Sequence, residues 1–522
     1  MGEGEERLLG HTVNVATMTL VSRILGYVRD RVLASLLGTS YLADAFYIAF
    51  RIPNTFRRFV AEGAMTAALV PVLSYSFKED GPEMAWLFAR RFLYVFGLFL
   101  VVLGIAGSLA APLIVRAMAW DYAVKAPEIF ALTKELTAIL FPYITLVSLA
   151  AVAMGILNCR GVFAFPALTP AFLNLSIIVA AIFWGYSSKS PTHVLAAGVL
   201  VGGALQFVLQ LPLLKKSGMS LRPAFSIKDK HIRQVFRLMG PGVLGAGAGQ
   251  LLILVGTALA STLGEGAVSA LYYANRITEL AFGLFAVSIS TVILPSLSRQ
   301  ASGGEKKELA ATLERGLSAV FFFITPAALG ILALSKPIIE VLFHTGRFSE
   351  ASVALTTGPL LAYSVGMVPW AVDIVLTKGC HAHKDMMTPL WAGVVSLTAF
   401  ILMALYFMPM IGVAGIALAS SLAALLNGAV LLFGLSKKHS IDLPWLKLLF
   451  PFVKVLFLSC ATGATAWSVN GRMHHGSLLE NVLALFAAVV SGMTVYCAGA
   501  WIFRLPEARQ VLRRFTSMRS GR

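Results

Sequence analysis

The chain has 522 residues, 58% of them hydrophobic and only 13% charged, with a mean hydropathy of +0.80. Soluble domains carry about 25% charged residues, so a water-soluble core of this size is excluded. The formal net charge of +17 reads as loop charge that orients a membrane protein and attracts anionic lipid headgroups, and it gives no support to nucleic-acid binding.

Apolar runs of about 20 residues, enough to cross roughly 30 Å of hydrocarbon, recur from end to end. They predict an all-α polytopic membrane protein with fourteen transmembrane helices near 12–37, 41–75, 84–115, 129–158, 165–186, 193–215, 236–263, 266–298, 309–335, 352–379, 386–408, 411–436, 445–469 and 478–503. The first run holds Arg23, Arg29, Asp30 and Arg31 and lacks a small-residue cleavage pattern, so it is expected to remain as a span rather than leave as a signal peptide. Lys and Arg gather in even-numbered connections. The sixth has Lys215, Lys216, Arg222, Lys228, Lys230, Arg233 and Arg237, the eighth Arg299, Lys306, Lys307 and Arg315, and the twelfth Lys437 and Lys438. Such loops face the cytoplasm, which puts both termini there. Cys159, Cys380, Cys460 and Cys497 form no C-x-x-C pair, so neither a disulfide framework nor a zinc site is expected.

The chain repeats itself. Leu33-Ala34-Ser35-Leu36-Leu37-Gly38 recurs as Leu259-Ala260-Ser261-Thr262-Leu263-Gly264, Arg51-Ile52 as Arg276-Ile277, and Val70-Pro71-Val72-Leu73-Ser74 as Leu294-Pro295-Ser296-Leu297-Ser298. Pro112-Leu113-Ile114 likewise matches Pro337-Ile338-Ile339. Two copies of a six-helix unit explain this. An even number of spans returns the chain to its starting side, so the copies are expected to be parallel, with a cavity between them. The expected organisation is an N-terminal lobe at 1–225, a C-terminal lobe at 226–440, two additional helices at 441–503 and a basic cytoplasmic tail at 504–522.

No phosphate loop, H-E-x-x-H or G-x-S-x-G elbow is present, so no catalytic residue, cofactor or metal is assigned. The informative feature is charge within the first two spans: Arg23, Arg29, Asp30 and Arg31, then Asp44, Arg51, Arg57, Arg58 and Glu62. Each costs about 2.5–3.5 kcal/mol at mid-bilayer unless it faces water or a partner. Asp44, Arg51, Arg58 and Glu62 fall within about 40° of one another on an ideal helix, as do Arg23 and Asp30; the Pro53-Asn54 step bends the helix and frees Arg57 to turn inward. In the eighth span Arg276 and Glu279 stand at i, i+3, and Arg276 is the repeat partner of Arg51. Cations outnumber carboxylates, and the planar fork of Arg suits phosphate oxygens, so an anionic, phosphate-bearing cargo is expected. An exporter of cationic drugs would want buried carboxylates instead.

Ser22-Arg23-Ile24-Leu25-Gly26-Tyr27-Val28-Arg29-Asp30, Asp44-Ala45-Phe46, Ile52-Pro53-Asn54-Thr55-Phe56-Arg57-Arg58, Ala61-Glu62-Gly63-Ala64 and Tyr272-Tyr273-Ala274-Asn275-Arg276 resemble the lipid II flippase family (MurJ or MviN) of the multidrug/oligosaccharidyl-lipid/polysaccharide exporter superfamily. The resemblance implies a transporter in the bacterial cytoplasmic membrane that moves an undecaprenyl-diphosphate-linked disaccharide-peptide to the outer leaflet by alternating access. It assigns Arg23, Arg29, Arg57 and Arg276 to the headgroup and Asp44 to a gate or cavity. Asp30, Arg51, Asn54 and Glu279 complete the substrate-binding set. It also gives the two extra helices a groove for the prenyl tail, and makes lipid II, membrane lipids and cell-wall synthesis proteins the expected partners. Sodium held by acidic residues in the seventh and eleventh spans is not expected, because 236–263 and 386–408 contain no Asp or Glu.

Overall fold

A computed structural model describes residues 3–57, 65–474 and 476–509. Among the described residues the regular structure is helical. The first series comprises α1 (Glu3–Leu37), α2 (Tyr41–Arg57), α3 (Thr66–Glu79), α4 (Pro82–Leu109), α5 (Ala111–Met118), α6 (Tyr122–Lys125), α7 (Pro127–Leu140), α8 (Tyr143–Cys159), α9 (Ala164–Ala180), α10 (Pro191–Val208) and α11 (Leu211–Lys216). The second comprises α12 (Lys230–Ala260), α13 (Ala267–Ser302), α14 (Lys306–Ala333), α15 (Ser335–Phe343), α16 (Glu350–Ala382), α17 (Met387–Ile411) and α18 (Val413–His439), after which come α19 (Trp445–Arg472) and α20 (Leu478–Ile502). The element order repeats. A long helix followed by a short one begins at Pro82 and Ala111 in the first series and at Lys306 and Ser335 in the second.

Eleven helices among the described residues are long and apolar enough to cross a membrane, and the molecule is an all-helical, polytopic membrane protein. The expected count of fourteen is not confirmed among the described residues. Missing from the eleven are the spans expected at 12–37, 41–75 and 236–263. The first carries the charges noted above, which lower its hydropathy. The second is helical up to Arg57 and again from Thr66, with 58–64, and so Arg58 and Glu62, outside the described residues. In the third only Gly249–Leu263 stands out as a shorter apolar helix. The span expected at 84–115 ends sooner, because the chain breaks at Ala110 and continues as short α5, and a second break, at Leu334, comes at the expected end of 309–335 and precedes α15.

The chain forms two compact units: residues up to Ser269 together with Thr345–Phe348, and Ala270–His344 together with those from Ser349 on. In the first, α1 packs on α9, α2 on α7, α4 on α8, and α12 on α3, α4 and α5. Its core sets Phe88, Phe92 and Phe96 of α4 against Val152 and Ile156 of α8. A Cβ added at Gly202 would lie 2.8 Å from the Leu173 backbone, which shows how closely α10 approaches α9 through small residues, the usual means of helix association where lipid removes the hydrophobic drive.

A loop of the same unit docks on the end of α1. The Arg347 N–H donates to the Ser35 carbonyl at 2.8 Å, and Gly38 (φ +62°) and Gly346 (φ +56°) adopt left-handed conformations there. Side chains would overlap Arg347 O at the first and Ser35 O at the second, so both positions require glycine for conformation and for space.

In the second unit α18 packs on α16 and α17, and α14 packs on α16 and α19. Leu313, Leu317 and Val320 of α14 meet Val375 and Leu376 of α16 and Leu431 of α18. α19 and α20 pack on each other and on α14, where the Tyr496 hydroxyl donates to Phe322 O at 2.6 Å. α20 opens with a reciprocal cap between Ser477 and Glu480, which satisfies helix-end N–H groups that would otherwise lack partners.

Candidate functional site

The charged residues of α1 sort by partner. Arg29 and Asp30 are buried, at 7% and 0% exposure. Arg29 Nη2 donates to Asp30 Oδ1 at 2.6 Å, Nε donates to the same oxygen at 2.9 Å, and Nη1 reaches Asn174 Oδ1 on α9 at 3.0 Å. Asn174 in turn donates to Ser22 O at 3.1 Å, so its amide cross-links the α1 backbone to the guanidinium. Arg23 is exposed and Arg31 half-buried. Charge-assisted bonding of this kind, here two N–H groups on one carboxylate oxygen, is among the stronger interactions available to a buried cation, and it fixes Arg29 in place.

On α2, Arg51 donates to the Thr257 hydroxyl of α12, which itself donates to Ile253 O at 2.8 Å. Asn54 and Arg57 are half-buried near the end of the described part of this helix. Asp44 has a different role. Wholly buried, its Oδ2 accepts from Gly266 N and its Oδ1 from Ser269 N, both at 2.7 Å, with the Tyr122 hydroxyl at 3.4 Å. Its charge therefore sits at the first turn of α13, where unsatisfied N–H groups and the positive end of the helix dipole favour an anion. Burial, then the Asp44 carboxylate, pushes the Tyr122 phenol up, so it stays a donor. Glu265 returns the arrangement by accepting from Tyr41 N, the first residue of α2, at 3.1 Å.

In the second unit Arg276 Nη1 donates to Glu279 Oε2 at 3.2 Å and Asn275 Nδ2 to Glu279 Oε1 at 3.0 Å. Both Arg276 and Glu279 are half-buried. The structure thus joins Arg29 to Asp30 and Arg276 to Glu279, while Arg51 and Asp44 engage partners outside the expected set. Asn174, Thr257, Gly266 and Ser269 had no charge to draw attention in the sequence. Among the described residues, no three His, Cys, Asp or Glu side chains gather as a metal site would require.

A family model described as lipid II flippase MurJ matches residues 33–487. The chain is 36% identical over 501 residues to the probable lipid II flippase MurJ of Vibrio cholerae serotype O1, covering 94% of this chain and 95% of that one. Among solved structures it resembles a lipid II flippase MurJ in an inward closed conformation, with TM-score 0.78, 28% identity and coverage of 94% and 98%. It shares its fold with an inward-facing multidrug resistance MATE family transporter of the MOP superfamily, at TM-score 0.66, 14% identity and coverage of 82% and 98%.

Proposed function

The chain belongs to the lipid II flippase MurJ family, and we propose that it carries an undecaprenyl-diphosphate-linked peptidoglycan precursor from the cytoplasmic to the outer leaflet of the bacterial inner membrane by alternating access. It is a transporter, not an enzyme. The observation that carries the reading is the family match over residues 33–487, beside which stand the half-buried Arg57 and Arg276 and the exposed Arg23. Cations at such positions suit an anionic cargo, and guanidinium forks match diphosphate oxygens.

In this reading α1, the α2–α3 stretch and α12 also cross the membrane, making fourteen spans with both termini cytoplasmic. Residues 1–225 and 226–440 act as lobes, 441–503 receives the prenyl tail, and 504–522 is a cytoplasmic tail. Arg23, Arg57 and Arg276 contact the headgroup, with Arg51, Asn54 and Glu279 beside them. Arg29 and Asp30 hold α1 in register, and Asp44 holds the start of α13 and gates the path. Lipid II, membrane lipids and cell-wall synthesis proteins are its partners.

Depleting the protein and measuring how much lipid II reaches the outer leaflet tests the function. Rescue by the wild-type chain and failure of Arg57→Ala and Arg276→Ala, at unchanged membrane level, is the expected result. Lys at these positions should rescue partly, since it restores charge without the fork. Full rescue by the Ala variants would sink the anionic-cargo mechanism.

A further inference from the structure

Asp373 takes no part in the site described above. It lies on α16, nine residues short of the helix end, or about 14 Å along the axis, in a helix long and apolar enough to span the membrane. Its residue is 9% exposed. Oδ2 accepts from Asn427 Nδ2 of α18 at 2.8 Å, whereas Oδ1 is buried without a hydrogen-bond partner. That oxygen faces Gly428, where an added Cβ would come within 2.9 Å of it.

The charged groups of the helices packed against α16 have other places or partners. On α13, whose Phe282 ring meets Trp370, Arg276 pairs with Glu279 and Arg299 lies in the last turn. Lys306, Lys307, Glu308, Glu314 and Arg315 lie in the first ten residues of α14, and Lys336 and Glu340 on α15. Lys437, Lys438 and His439 end α18, α17 has no charged residue, and α16 itself carries Glu350 at its start and Lys378 and His381 toward its end. None of them forms an ion pair or hydrogen bond with Asp373. Burying an unpaired carboxylate charge is costly, and a proton on Oδ1 would remove that charge. A bound metal ion would need several oxygen ligands around it, while a proton needs one oxygen, which Oδ1 supplies. One turn earlier stands Pro369, which cannot donate to the carbonyl four residues back and so gives α16 a place to bend.

We propose that Asp373 is a proton-binding site that couples the proton gradient to transport, holding a proton while α16 and α18 enclose it and releasing it to water when α16 bends at Pro369. The step is a proton transfer between water and Oδ1; no bond in the cargo is made or broken. This inference rests on the transport reading above.

The test uses purified full-length protein in sodium-free proteoliposomes, with the membrane potential clamped and a labelled undecaprenyl-diphosphate-linked disaccharide-peptide as cargo. Wild-type flipping should rise several-fold when a pH gradient is imposed. Asp373→Asn should flip at the gradient-free rate whether or not the gradient is present. Infrared spectra of the wild-type protein at neutral pH should contain a protonated-carboxyl band that Asp373→Asn lacks. A wild type that flips but ignores the gradient, or a D373N that still responds, overturns the inference and leaves the transport reading intact; absence of any wild-type flipping overturns both. Should D373N fail to accumulate, the wild-type gradient response and the loss of its carboxyl band on raising the pH decide the matter, and a wild type lacking either overturns the inference.

Discussion

Removing the Arg29 side chain would leave the wholly buried Asp30 carboxylate without its guanidinium. Breaking a buried pair from one side costs about 3–5 kcal/mol, so Arg29→Ala should lower the amount of folded protein in the membrane. Arg23→Ala, at an exposed position, should keep its level and lose transport, and Arg29→Ala combined with Asp30→Asn should recover much of the level. Quantifying membrane protein beside complementation checks this; equal losses for Arg23→Ala and Arg29→Ala would refute it. Both arginines were visible in the sequence as charges where hydrocarbon should be. Their division of labour was not, because it depends on Asn174, an uncharged residue in an apolar run 145 positions away. Asp373 escaped notice for a related reason: it is a single acid in the apolar stretch between Glu350 and Lys378, outside the charge-dense first two spans.

Helix ends show where a charge works at a distance. Asp44 serves the first turn of α13 through both oxygens, so Asp44→Asn keeps one acceptor, sets an NH2 against the other backbone N–H, and loses the charge–dipole term, itself worth about 0.3–2 kcal/mol. A lower melting temperature in detergent together with impaired flipping is expected, and an unchanged melting temperature would remove the anchoring role. Asp385 does similar work at the start of α17, accepting from Met387 N and Thr388 N at 3.1 Å. Burial alone would raise this carboxyl, but hydrogen bonds from Thr388, His439 and Lys438 hold it well below the usual carboxylate range. A depressed carboxylate stabilises the fold above its ordinary pKa of about 4 and loses that contribution as pH falls through the folded value. Asp385→Asn should therefore melt below the parent at neutral pH, with the gap narrowing under strong acid; a gap that stays constant with pH would contradict the assignment. Element positions were largely legible from apolar run length, and the repeat matched Gly38 to Gly264, both of which adopt positive φ. The short helix α5 was partly absorbed into the span expected at 84–115, since run length alone does not mark a one-residue break, and α15 fell in the connection between 309–335 and 352–379.

At the scale of the whole molecule, electrical work is a property of the entire cycle. Carrying a diphosphate outward across an inside-negative potential releases about 2.3 kcal/mol per elementary charge per 100 mV. An imposed potential should therefore accelerate outward flipping in proteoliposomes held at equal pH without sodium, and indifference to its sign would refute the idea. Polytopic architecture was readable from composition alone, whereas the span expected at 12–37 is one whose charges dilute its hydropathy. The attachment of α19 and α20 to α14 has a practical consequence as well. Cys460 on α19 and Cys497 on α20 are exposed thiols of the second unit, while Cys380 is buried. Spin labels or fluorophores at these two native positions would ride one body, so their separation should stay fixed through turnover and serve as an internal ruler for distances measured to a third label elsewhere.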